Sequence, residues 1–569
     1  MQSSAVKFLF AAALLLLAQG SSRAATLQVE PVLIDVTAPG AASTVTLRNE
    51  GAAPINVQIR VYRWSQVDGK ENLEPTEDVV ASPPAVTLAP QTNYVARVVR
   101  VSRRPVSSEE SYRVLIDQLP APSQQRGHSV NLLMRYSIPV FFGASDRRDP
   151  AVAWTATISG NKVKVTARND GDRRIRIASL NLRDAKGKTV AFGKGLVGYV
   201  LGKSTVGWTN LGGRLRRCRT DLSVRSKRHW SGRCRGVHQF RKVGIPRIDA
   251  RAGSDAVLLP IAIAFIALAV SSPALAQSCT VTNASGSYGS INVLSGAAVD
   301  TTSTFTVTCS GKKNNTVRLC IEMSAGSPTD AGKRALSNGA KFLDHEFYSD
   351  ASRTQVWGSW GAVVTAYGSG GVTYDLLLNS SGSASHTFTL YARVLANQRT
   401  AAPLAYSWSA TSPGMKYGYL GSAVCPTGGG STNGGSTVWT ATVATNCAVS
   451  ATGINFGSSG AITSNVDATG SLTVQCTNAT PYTVALNGGN SGASDPTKRK
   501  MAKGAETITY GLYRDTARTQ PWGSTSGTNT VGGTGTGSNQ ALSVYGRVAS
   551  QNTPSPGTYT DSVVVTVTY

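Results

Sequence analysis

Apolar and polar residues alternate with a period of two through most of the chain, and this limits it to one kind of architecture. Runs such as "TVTLRNEG", "NVQIRVYRW", "YVARVVRVSR", "SYRVLIDQL" and "SVNLLMRYSIPVFF" are short and are punctuated by Gly, Asn and Pro. Successive side chains of a strand point to opposite faces, so each run acquires one apolar face and one wet face. Runs of this kind joined by turns give antiparallel pairing, and the expected fold class is all-β, built from immunoglobulin-like β-sandwiches. Residues 26–144 suffice for one such domain. Residues 145–211, about 65 in number, look like a second domain cut short.

The carboxy-terminal half is also strand-like but rich in Gly, Ser, Thr and Ala, and it repeats itself. "SRTQVWGS" at Ser352–Ser359 returns as "ARTQPWGS" at Ala517–Ser524, "TVTCSG" returns as "TVQCTN", and "LYARV" at Leu390–Val394 returns as "VYGRV" at Val544–Val548. The repeat sets two copies of one β-domain at 277–425 and 441–569, with a Gly/Ser/Thr linker at 426–440. It also pairs the cysteines: Cys279 with Cys309 in the first copy, Cys447 with Cys476 in the second. Each such bridge is worth roughly 3–4 kcal/mol in the chain-entropy picture. Cys320 and Cys425 occur only in the first copy, where they are available to each other. Trp357 recurs as Trp522, which marks it as motif packing, whereas Trp360, Trp408 and Tyr406 stand either as core aromatics or as surface contacts.

Two apolar runs break the pattern. Residues 1–25 have a Lys, an apolar core and a small-residue cleavage site, as a secretory signal does, and "DAVLLPIAIAFIALAVSSPALAQ" repeats that form at 255–276 with Gln277 as its mature start. Between them lies a basic junction, 212–254, with thirteen Lys/Arg against two Asp/Glu in Gly212–Arg251. Most of the excess over the flanking halves, of the formal +25, sits there. It lacks the patterns of a nucleic-acid module, so no nucleic-acid partner is expected. A basic block before an apolar run also favours retention on the cytoplasmic side, against the outward direction set by the first signal. The economical reading is two adjacent reading frames joined near Asn210–Gly213. The junction would then be unstructured or out of frame, and Cys218, Cys234 and His229 would have no role. In a single working chain the internal apolar segment would be either cleaved or membrane-spanning.

Catalysis finds little support. His128, His229, His238, His345 and His386 show no metal-binding spacing, no nucleophile elbow occurs, and "GGTGTG" at Gly532–Gly537 lacks the strand and helix of a phosphate loop. No catalytic residues, no metal and no cofactor are expected.

The stretch "SVNLLMRYSIPVFF" (Ser129–Phe142), with "STVTLRNEG", "ASPPAVTLAPQTNYVARVVRV" and "SYRVLIDQLPAP" before it, resembles the amino-terminal domain of PapD-like periplasmic pilus chaperones. That resemblance covers about residues 26–211 and implies donor-strand complementation: an edge strand is inserted into a pilin sandwich that lacks its last strand. By position Val130, Leu132, Met134 and Tyr136 are the donor-strand residues. The usual basic anchor for the pilin carboxylate is missing, since Pro31 or Val32 and Pro139 stand at those places. Arg97, Arg100 and Arg135 are the remaining candidates, a pattern resembling archaic, Csu-type chaperones.

The carboxy-terminal half resembles the spore coat protein U domain, a pilin-like fold, on its cysteine spacing, "RTQxWG", "Y[AG]RV" and the ending "YTDSVVVTVTY". Only "QS" separates the second signal from Cys279, so no donor arm precedes the first copy, which implies a tip adhesin. Together the resemblances imply archaic chaperone/usher pilus biogenesis, with pilin subunits and an outer-membrane usher as partners. The chaperone half would lie in the periplasm and the pilin half at the cell surface. The fused strand could complete the second copy of its own chain. The competing reading is a structural surface or coat protein whose chaperone half is an inert module.

Overall fold

Period-two alternation becomes strand pairing throughout, and a 3-10 turn at Val293–Ser295 is the only helical element among the described residues. The computed structural model describes residues 26–569 except 68, 121–127, 145–148, 160–161, 184–188, 194, 212–219, 226–229, 233–237, 243–276, 327–328, 331–332, 360–369, 421–424 and 426–429. Both signal-like segments, Cys218, Cys234, His229 and Trp360 lie outside the described residues. No helix among the described residues is long and apolar enough to cross a membrane. The chain forms two compact units, one of residues 1–242 with 445–569 and one of residues 243–444.

In the first unit the amino-terminal sandwich has two faces. On one, Ala42–Asn49 lies between Thr26–Glu30 and Asn93–Arg100, and the latter also pairs with Val79–Ser82. On the other, Ile55–Val67 pairs with Glu110–Gln118, Ala85–Leu88 and Lys70–Pro75. A second lobe follows, in which Lys162–Asn169 pairs with Val152–Ser159 and Thr205–Leu211, and Trp154 stacks on Trp208 at 6.1 Å. Arg174 ties the lobes together. Its guanidinium reaches Asp35 and Glu109, each at 2.6 Å, and lies 3.7 Å from the centroid of Phe141.

The basic junction carries more structure than its sequence suggests. Thr220–Arg225 pairs with Ile175–Arg183, Trp230–Gly232 pairs with Thr220–Arg225, and His238–Lys242 pairs with Val152–Ser159. Main-chain ladders need extended backbone rather than a long apolar period, so a short stretch can join an existing sheet without advertising itself. The second lobe, which looks truncated at residue 211, is extended by these strands.

The two repeat copies share one plan. In the second copy Cys447–Thr452 pairs with Val466–Cys476, which pairs with Gln540–Val548, while Pro481–Leu486 pairs with Thr560–Thr568. In the first, Ser278–Val281, Val299–Ser310 and Ser383–Val394 repeat that order, and Thr316–Glu322 pairs with Gly414–Tyr419. The expected disulfides are present: Cys279–Cys309, Cys320–Cys425 and Cys447–Cys476. The first and third join residues that face each other directly across paired strands.

The repeated "RTQxWG" motif is structural. Asp350 accepts from the backbone N–H groups of Thr354 and Gln355 at 3.0 and 2.7 Å, and Asp515 accepts from those of Thr519 and Gln520 at 3.1 and 2.8 Å. The indole N–H groups of Trp357 and Trp522 donate to the carbonyls of Ile321 and Val484, each at 3.1 Å, and both rings are buried. Tyr406 and Trp408 are 2% and 1% exposed, so they serve the core of the first copy.

Candidate functional site

The site is built on the longest strand among the described residues, His128–Gly143. Its second half belongs to the amino-terminal sandwich: Ile138–Phe142 pairs antiparallel with Glu110–Val114, and Val140–Gly143 pairs parallel with Ile34–Thr37. Its first half leaves that sandwich. Ser129–Ser137 pairs parallel with Thr560–Thr568 of the second copy, and His128–Val130 pairs antiparallel with Ile454–Gly457. Alternation then fixes which side chains turn inward. Val130, Leu132, Met134 and Tyr136 are buried, and Leu132, Met134 and Tyr136 stand beside Val563, Val565 and Val567. All of these belong to a single apolar core that runs through both the amino-terminal sandwich and the second copy. Full burial of each aliphatic side chain is worth about 1.5–3 kcal/mol.

Tyr136 adds a polar pin inside this core. Its hydroxyl accepts the N–H of Val449 at 3.0 Å and donates to the carbonyl of Leu27, and burial raises its pKa. The ring stacks on Tyr569 with centroids 6.3 Å apart.

Two further contacts escaped sequence reasoning. Thr26–Glu30 pairs antiparallel with Cys447–Thr452, so the second copy is held on both sheets. Glu30 accepts from Asn446 Nδ2 at 3.2 Å, and burial pushes its carboxyl up to about 7. The only available signal was the five-residue alternation of "TLQVE". The second contact is the strand Leu196–Val200 of the second lobe. Thr483 Oγ1 donates to the Leu196 carbonyl at 2.5 Å, Arg176 donates to the Pro481 carbonyl at 3.0 Å, and the Tyr199 hydroxyl donates to the Tyr569 main-chain oxygen at 2.9 Å. Approach is close enough that a Cβ at Gly195, where φ is +70°, would stand 2.2 Å from the Gly533 carbonyl.

The three candidate anchor arginines are not gathered at Tyr569. Arg100 makes a two-pronged ion pair with Glu110, both arms at 2.8 Å. Arg135 pairs with Asp117, which also takes Arg60 at 2.6 Å. Arg97 is exposed, opposite Thr44 and Ser82. Carboxylates of the amino-terminal sandwich hold two of them, because a planar guanidinium finds its best partner in a nearby carboxylate. The buried arginine of this region is Arg113, 3.8 Å from the Trp64 ring and 5.6 Å from that of Tyr199, donating to the Ser137 carbonyl at 3.3 Å. Its signal was a charge interrupting the buried run "SYRVLI".

The equivalent slot in the first copy is filled differently. Gly430–Asn433 pairs antiparallel with Gly414–Tyr417, and Ser436–Val443 pairs antiparallel with Ala405–Thr411 and parallel with Gly286–Ile291. Much of the stretch expected to be a linker therefore forms strand. Thr437, Trp439, Ala441 and Val443 turn inward, and the Trp439 indole donates to the Ala284 carbonyl at 2.9 Å between Tyr288 and Phe347. Back in the first unit, where the long strand starts, a cavity of about 600 Å³ lies open, lined by residues including His128, Phe456, Ile462, Met501, Ile508 and Tyr559.

Family models match both parts of the chain. Residues 26–144 match the pili and flagellar-assembly chaperone, PapD N-terminal domain, and residues 264–409 and 435–566 each match the Spore Coat Protein U domain. Protein U of Myxococcus xanthus is 42% identical over 108 residues, 18% of this chain, and the match spans 59% of that protein's length. Among solved structures, the CsuC–CsuE chaperone–tip adhesion subunit pre-assembly complex of Acinetobacter baumannii is 23% identical, covering 35% of this chain and 92% of that one at a TM-score of 0.28. The CupB2 chaperone of Pseudomonas aeruginosa is 17% identical, covering 37% and 98% at 0.24. The SafA pilin–SafB chaperone complex of Salmonella enterica is 19% identical, covering 38% and 96% at 0.27. By its family matches the chain joins a PapD N-terminal chaperone domain to two Spore Coat Protein U domains.

Proposed function

We propose that residues 26–211 act as a donor-strand chaperone toward the second Spore Coat U domain of the same chain, within chaperone/usher pilus assembly. The reading rests above all on one observation, the parallel insertion of Ser129–Ser137 beside Thr560–Thr568 with Val130, Leu132, Met134 and Tyr136 turned into the shared core. The chaperone thereby satisfies the main chain of an edge that would otherwise pair with any passing strand. The open cavity at His128 gives a replacing strand a place to begin. Residues 277–569 act as a tip-adhesin-like subunit, because the slot of the first copy is already filled by its own chain. The chaperone half works in the periplasm with pilin subunits and the outer-membrane usher, and the pilin half is exported to the cell surface. Donation by Val130, Leu132 and Met134 is a strand-pairing activity with no catalytic step.

The test is Leu132→Asp in the full chain. A buried carboxylate without a partner should open residues 445–569 to protease and hydrogen exchange, while residues 277–444 stay protected. If residues 445–569 remain as protected as in the unsubstituted protein, donation by this strand is wrong, and an inert module in a surface coat protein becomes the better account.

A further inference from the structure

The two Spore Coat U copies have the same strand order, yet one takes its missing strand from the chaperone and the other from residues 430–443, which run directly into the second copy. Something must decide which copy is open. The repeat locates it. Trp357 and Trp522 donate to the carbonyls of Ile321 and Val484, so the residues just before them, Cys320 and Thr483, occupy equivalent positions.

In the second copy that position faces the chaperone, since Thr483 donates to the Leu196 carbonyl and Arg176 reaches the neighbouring Pro481 carbonyl. In the first copy the same position is closed. Cys320 is bonded to Cys425, which lies in the segment that leads from Gly414–Tyr419 to the returning strands Gly430–Asn433 and Ser436–Val443. The second copy has no counterpart to this pair. One covalent bond thus does two things. It places Cys425 on the position equivalent to Thr483, and it ties the chain five residues before the returning strand at Gly430.

We infer that the Cys320–Cys425 disulfide is the specificity element that directs the chaperone strand to the second copy, by locking residues 430–443 into the first copy and covering the face that Leu196–Val200 would use. This rests on the donor-strand reading above. The two can fail separately, because Leu132→Asp is read on residues 445–569 with the disulfide intact.

The experiment uses the full chain carrying Cys320→Ser and Cys425→Ser. Hydrogen exchange of residues 430–443 should rise at least about tenfold over the unsubstituted protein, with Ser129–Ser137 unchanged. A photo-cross-linkable synthetic peptide copying Ser129–Tyr136, in excess, should then attach within residues 277–444 of the variant and not of the unsubstituted chain. Unchanged exchange at 430–443 overturns the lock. Faster exchange without peptide attachment overturns the selectivity, leaving a merely stabilising bridge. Cys425→Ser alone, which keeps the buried Cys320 thiol, is the second variant if the double substitution does not fold, and the same two readings decide it.

Discussion

The two Spore Coat U copies solve one problem in opposite directions. Each lacks a strand beside its last one. In the first copy the chain turns back after Tyr419 and fills the gap antiparallel, whereas in the second the chaperone strand fills it parallel. Parallel ladders have slanted hydrogen bonds and are slightly less stable per residue than antiparallel ones. A strand tethered by a short loop also has a much higher effective concentration than one supplied from a distant part of the chain. The first copy is therefore built to stay closed. The second is held by a ladder that is weaker per residue and is supplied from a more distant part of the chain.

Three measurements would break or sharpen this contrast. The largest effect is expected from Trp439→Ala, which empties the centre of the first copy and leaves the Ala284 carbonyl without its donor. It should cost about 3–5 kcal/mol, measured as loss of exchange protection in residues 277–444 and not in 445–569. Equal loss in both regions would mean that the copies are not independently closed.

The next is a pH effect confined to the first unit. Burial raises the folded pKa of Glu30 to about 7, above its ordinary 4.5, so the folded state holds this proton more tightly than the unfolded state. The contribution of this one group is fully present below pH 4.5 and is lost as pH rises through 7, by up to about 3 kcal/mol. Denaturant unfolding at pH 5 and pH 8 should show a larger loss in the original protein than in Glu30→Gln. A matching slope in Glu30→Gln would assign the effect to another group.

The smallest is Tyr136→Phe, which removes the buried hydroxyl that joins the Val449 N–H to the Leu27 carbonyl. A loss of about 1–2 kcal/mol in the first unit is expected by denaturant unfolding, with no change in residues 277–444.

Alternation made some of this legible and left the rest hidden. It marked Val130, Leu132, Met134 and Tyr136 as one face, and the internal repeat matched Cys279 with Cys309 and Cys447 with Cys476. It could not say which strands meet, because register between distant segments is set by the fold and not by either segment alone. Thr26–Glu30 is too short to stand out. Ser436–Val443 alternates strictly, but the Gly and Ser residues before it disguise it as linker. The carboxylates that hold Arg100 and Arg135 both lie on Glu110–Gln118, across the sandwich from the strand of Arg100 and paired with the strand of Arg135, and one-dimensional spacing does not reveal neighbours of that kind.

The common core of residues 26–144 and 445–569 bears on how the molecule comes apart. Its residues are drawn from both ends of the sequence, so neither end can lose its packing while the other keeps it. Heating should reveal melting units that cut across the boundaries of inherited domains. Residues 26–144 and 445–569 would share one transition, while the two Spore Coat U domains melt apart.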